Sequence, residues 1–256
     1  MRNLIRVTII GAAVALIVAA SAFARPEVVR VGTLVFRGDG GVFPAKLPKH
    51  RQAPIGGWVK ARLSTVDGSH PPAVRRAIID FDRAFQVNAK GLPVCAKVRL
   101  VALSSALARR ACRGSIVGSG EGEVEVAFAD QKPFSAKGPI TLFNGGVRKG
   151  TTLLLTHAYV AVPTPTAVIT TTKITRVRGG RFGLHTVTEI PDIAGGAGSV
   201  TGFRFKIKRS FKYRGKKQSF ITASCPNDLF FVRARVEFTG GTAMRLGNAI
   251  RCIAEG

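Results

Sequence analysis

The chain has 256 residues, with 39 Lys and Arg against 14 Asp and Glu, for a formal net charge of +25 at pH 7. Hydrophobic residues make up 46% of it. That excludes a disordered polybasic tail, whose hydrophobicity is low and whose charges come in one block. The length admits one large or two small domains with a buried core, and the charge speaks of anionic partners rather than of fold.

The first element is a leader. Arg2 and Arg6 precede an uncharged apolar run over residues 7–20, and Ala22-Phe23-Ala24 supplies the small-x-small pattern that a signal peptidase reads. The run is shorter than the roughly 20 residues that span a bilayer. Residues 1–24 are therefore expected to be a cleaved signal peptide. No paired arginines precede the run and no Cys follows the cleavage site, so general secretory export without a lipid anchor is the expectation. The protein is expected to be secreted or associated with the cell envelope, extracytoplasmic, with no stable membrane span after cleavage.

Beyond the leader the pattern is period two with Gly and Pro punctuation. After a first strand comes the Pro-rich connector "FPAKLPKHRQAPIGG" from Phe43. "WVKARLS" from Trp58, "RRAIIDF" from Arg75, "GEVEVAF" from Gly122, "TTLLLTHAYV" from Thr151, "AVITTTKITRV" from Ala167 and "GLHTVTEI" from Gly183 read as strands. So do residues 202–213, 219–223 and 231–238. One short helix is expected over 104–112, where a Ser could cap a short turn of Ala, Leu and Arg. This makes the chain all-β: an antiparallel sandwich or barrel-like fold, either as one body or as two tandem related β units. The division would be 25–161, holding Cys95 and Cys112, and 167–256, holding Cys225 and Cys252, joined by "VPTPT" at 162–166. The halves share an outline. The Trp58 strand leads through "DGSHPPAV" to "RRAIIDFDRAF" and then to a Cys; the Phe182 strand leads through "PDIAGGAGSV" to "GFRFKIKRSFKY" and then to a Cys.

An even cysteine number in an exported chain makes disulfides the expectation. Pairing by proximity in sequence gives Cys95–Cys112 and Cys225–Cys252, with two other pairings open. No C-x-x-C spacing suggests zinc.

The runs "STVDGSHPPAVRRAIIDFDR", "GLPVC", "ACRGSIVGSGEGEVEVAF", "GPITLFNG", "RGGRFG", "IAGGAGSVTGF" and "YRGKKQSFITASCP" resemble a group of secreted hypothetical proteins from high-GC Gram-positive soil bacteria. The resemblance covers nearly all of the chain beyond the leader. It implies export and a Gly-punctuated β fold with paired cysteines, and it brings no activity and no site residues.

The densest chemistry lies in "TGFRFKIKRSFKYRGKK" from Thr201. Phe203, Phe205, Ile207, Phe211 and Tyr213 share one parity; Arg204, Lys206, Lys208, Lys212 and Arg214 share the other. That is a half-buried strand with aromatics in the core and cations in water, followed by a cationic turn with Lys216 and Lys217. Arg204, Lys206, Lys208, Arg214, Lys216 and Lys217 are the candidate polyanion-binding residues. The aromatics face the core, so specific nucleic-acid recognition by stacking is not expected. Glu121, Glu123 and Glu125 share a strand face and would form a cross-strand ladder if their strand lay beside Arg204.

Asp67, His70, Asp80 and Asp82 could hold Ca²⁺, but they also read as a turn and a solvated strand face, so no metal and no other cofactor is expected. No G-x-S-x-G, H-E-x-x-H, Walker or G-x-G-x-x-G motif is present, and no catalytic residue is identified. The expectation is an exported, non-catalytic β protein that binds anionic cell-envelope polymers. One alternative is an extracellular hydrolase of wall polysaccharide, its carboxylates drawn from Asp80, Asp82 or Glu189. Another is a secreted structural protein whose Arg-rich charge reflects a high-GC genome alone.

Overall fold

The computed structural model describes residues 27–160 and 165–256. The expected signal peptide, and all of the 162–166 connector except Pro165 and Thr166, lie outside the described residues.

Twelve strands form one antiparallel sheet that curls almost into a closed barrel. We number them in chain order: β1 (Glu27–Val31), β2 (Leu34–Phe43), β3 (Gly56–Thr65), β4 (Val74–Asp82), β5 (Ile116–Val126), β6 (Phe134–Arg148), β7 (Thr151–Val160), β8 (Thr166–Arg176), β9 (Phe182–Glu189), β10 (Gly198–Ile207), β11 (Leu229–Phe238) and β12 (Ala243–Arg251). Hydrogen bonding sets the order β1-β2-β3-β10-β5-β6-β7-β8-β9-β4-β11-β12. At the closing seam the Gly247 backbone N–H donates to Glu27 Oε1 at 2.7 Å.

This is a meander in which two strands have changed places. β4 sits between β9 and β11, and β10 sits between β3 and β5. Adding six to each strand number maps the order onto itself, so β3–β4 corresponds to β9–β10. Those are the two segments whose outlines match in the sequence. Taken as β1–β6 and β7–β12, each half donates its fourth strand to the other; this division falls between Arg148 and Thr151, one strand before the 162–166 connector, which joins β7 to β8, hydrogen-bonded neighbours in the same sheet.

The exchange is readable in side-chain size. Gly118, Gly120 and Gly122 alternate along β5, and Ile207, Phe205 and Phe203 stand opposite them on β10. A Cβ at Gly120 would lie 2.5 Å from Phe205 Cα and 2.6 Å from its Cβ. Phe203 and Phe205 stack with centroids 5.7 Å apart and pack on the main core, with Ile140, Leu142, Leu184, Phe220 and Phe230. Further clusters close the far end, around Leu63, Phe238 and Met244 and around Val126 and Ile193.

Short strands cover the other end. Ile221–Ala223 pairs with Ala53–Pro54 and Phe85–Val87, and Ile253–Glu255 runs parallel to Lys46–Pro48. Cys225–Cys252 binds this cap to the end of β12. The helix, α1 (Ser105–Ala111), is capped by the Ser104 hydroxyl, which accepts from Leu107 N–H. It lies outside the barrel, where Leu100, Ala108 and the Cys95–Cys112 disulfide bury Phe143 of β6 and Leu155 of β7. Both disulfides are those expected from proximity in sequence, and they fit an oxidising, extracytoplasmic compartment.

Candidate polyanion-binding surface

The alternating stretch from Thr201 does not continue as one strand. β10 ends at Ile207, and Ser210–Tyr213 begins a separate hairpin with Lys216–Ser219. The break comes where Lys208 N–H donates to Val117 O and Phe220 N–H to Arg209 O, turning the chain away from the barrel wall. Arg214 and Gly215 both have positive φ, 49° and 74°, the geometry of a two-residue hairpin turn whose twist matches its strands. Phe203, Phe205, Ile207 and Phe211 pack on the core, and the Tyr213 ring covers Gly91.

The six candidate cations are all exposed, but they are not equivalent. β5 is indeed the neighbour of β10, and one rung of the expected ladder forms. Arg204 Nε and Nη2 donate to Glu121 Oε2 at 3.0 and 2.6 Å. Both side chains are more than 60% exposed, so the pair contributes about 0–1 kcal/mol while neutralising Arg204. Glu123 turns to Arg62 and Lys137, at 3.6 and 3.7 Å, and Glu125 to His70. Among the described residues Lys206, Lys208, Arg214, Lys216 and Lys217 make no ion pair. Lys208 Nζ sits over the Phe43 ring at 5.3 Å, and Lys206 lies between Trp58 and Ser119. Lys212, on the same face of the hairpin, is directly opposite Lys217.

That juxtaposition recurs around the wall. Arg37 faces Arg62 across β2–β3, Lys60 faces Arg204 across β3–β10, and Arg235 faces Arg245 across β11–β12. Directly opposed like charges destabilise a sheet by a few tenths of a kcal/mol or more. Acids temper Arg62, Arg204 and Arg235; among the described residues Lys212 and Lys217 make no ion pair.

The candidate metal ligands are each engaged elsewhere. Asp67 accepts from the Ser69 hydroxyl and backbone N–H, which hold its carboxyl below the usual carboxylate range. Asp82 is buried and accepts from Ala84 and Phe231 N–H. Asp80 takes His185 Nδ1 and Arg233 Nε, each at 2.7 Å, from the two strands flanking β4. Burial works to raise the Asp80 carboxyl, but those two hydrogen bonds and the Arg233 charge outweigh it and leave it lowered. Among the described residues no group of three His, Cys, Asp or Glu side chains is placed to hold a metal ion.

The structure also assembles Ser199, His70 and Glu125, a grouping that sequence spacing does not reveal. His70 Nδ1 lies 2.8 Å from Glu125 Oε1, and Nε2 lies 3.1 Å from Ser199 Oγ. These are the distances of a nucleophile, base and acid. The protons decide otherwise. The Ser199 hydroxyl donates its one hydrogen to Pro71 O, so toward His70 it only accepts. The hydrogen that a nucleophile would hand to its base is thus committed to Pro71 O. Ser199 is 1% exposed beneath this loop. The arrangement is a strap that fastens the β3–β4 crossover to β5 and β10.

His157 is buried against the helical cover, where Nε2–H donates to Leu103 O at 3.0 Å. Burial lowers its pKa against that hydrogen bond.

Comparison with known proteins finds no matching family model, no similar curated protein and no similar solved structure.

Proposed function

We propose that this is an exported, non-catalytic protein of the cell envelope that holds anionic polymer on its outer surface. The observation that carries the reading is the set of exposed cations on β10 and the hairpin: Lys206 and Lys208, then Lys212 opposing Lys217, with Arg214 in the turn and Lys216 beside it. A fold that retains a repulsive pair at a tip gains when an anion occupies that tip. The charged rows along the outer wall also disfavour lipid contact, because Lys and Arg at a bilayer midplane cost about 2–4 kcal/mol each.

Co-sedimentation of the mature protein with isolated Gram-positive cell walls over a salt series tests this. Binding is expected to fall with salt and to be lost in a Lys212→Glu, Lys216→Glu, Lys217→Glu variant. Binding that resists the triple reversal would place the contact elsewhere. A secreted structural role without a ligand predicts no wall binding at any salt.

A further inference from the structure

A groove of about 710 Å³ runs along the outer wall over β8, β9, β4 and β11. It is bounded on one side by the turn bearing Lys97 and on the other by the β11–β12 turn at Gly241 and Thr242. Its charges come from five elements. Register places Glu189, Arg76 and Glu237 in one row across β9, β4 and β11. The next row holds Lys173, Val187, Ile78 and Arg235 across β8, β9, β4 and β11. Of the two carboxylates, Glu237 accepts from Arg235 Nε at 2.8 Å.

We propose that this groove binds a glycan chain bearing carboxylate groups, such as a uronic acid polymer. The inference rests on the polyanion reading and names where one such polymer would sit. The cations from separate strands would meet acidic groups spaced along a chain. Glu189 and Glu237 repel a ligand of dense negative charge and accept hydrogens from hydroxyls, which a sugar supplies and a polyphosphate does not. Ile169 and Ile190, half-buried along the groove, offer apolar surface to a sugar ring. Across its strands the groove spans roughly 15–20 Å, at about 4.8 Å per strand, enough for several sugar units. Sequence reading could not assemble it, because its residues lie from Arg75 to Ala243.

The test is calorimetric titration of the mature protein with a defined oligogalacturonate, with neutral dextran and with polyphosphate. The variants are Arg76→Ser with Lys173→Ser in the groove, and Lys212→Ser with Lys217→Ser in the hairpin. Oligogalacturonate binding is expected to weaken at least tenfold in the groove variant and less than threefold in the hairpin variant, with dextran not bound. Glu189→Gln, which removes the repulsion but keeps an acceptor oxygen, is expected to strengthen polyphosphate more than oligogalacturonate. Equal oligogalacturonate affinity in wild type and groove variant, or equal response to Glu189→Gln for both polymers, would overturn the inference. Wall binding retained while oligogalacturonate fails to bind would overturn the groove alone; loss of both would overturn the polyanion reading.

Discussion

Reversing one charge in the hairpin should stabilise the protein while weakening its contact with anionic polymer. In Lys212→Glu the side chain opposite Lys217 becomes a partner instead of a rival. Two unit charges about 6 Å apart in water interact by roughly 0.7 kcal/mol, and screening at physiological salt about halves that. Turning repulsion into attraction counts the interaction twice. With Arg214 and Lys216 also nearby, the gain is about 0.5–1 kcal/mol. For a domain of this size that is a Tm rise of about 1–4 °C. An anion at the same distance loses a similar amount, about two- to fivefold in affinity. Differential scanning calorimetry in 0.05 M and 1 M salt, beside wall co-sedimentation, reads both effects. The Tm gain should disappear in 1 M salt, where the Debye length falls to about 3 Å. A variant that is no more stable at low salt, or one that gains stability yet binds unchanged, would refute the reasoning.

Removing Cys225–Cys252 as a Ser pair should cost about 3.5 kcal/mol by loop closure, slightly more than removing Cys95–Cys112, whose loop is shorter; denaturant titration measures both. His70→Ala should free the β3–β4 crossover, raising hydrogen exchange over residues 66–73 and costing about 1–3 kcal/mol through the partners left unsatisfied. Wall binding should stay unchanged. His157 gives a pH signature. The unfolded chain takes up a proton near pH 6.5 that the folded protein accepts only lower, so its contribution to stability declines as pH falls below about 6.5. A Tm series from pH 7.5 to 5 should show that decline, reduced in His157→Gln.

The period-two pattern made the all-β class legible, because one wet and one dry face leave an alternating trace in "GFRFKI" and "WVKARLS". The serines opening the 104–112 segment announced the helix for the same local reason: the Ser104 hydroxyl caps a turn three residues on. β6 and β12 escaped notice as strands because Gly138, Pro139, Gly145 and Gly146 interrupt one, and Gly247 and Asn248 the other. Those residues fit only because neighbouring strands supply what they lack. The β4–β10 exchange is a long-range fact with a local shadow, the glycine row of β5 opposite Phe203 and Phe205. At the site, sequence alone named the hairpin cations but not the neutralisation of Arg204, which depends on β5 lying beside β10. The Ser199–His70–Glu125 strap and the outer groove were illegible, since each joins residues far apart in the chain.

The measurement that tests the account most directly is wall co-sedimentation of the triple reversal Lys212→Glu, Lys216→Glu, Lys217→Glu against an equal reversal at Arg99, Arg109 and Arg110, on the helical cover. The account predicts salt-sensitive binding that the hairpin variant loses and the control variant keeps. Equal loss in both would mean that net charge alone drives the contact, and the hairpin would have no claim to being a site.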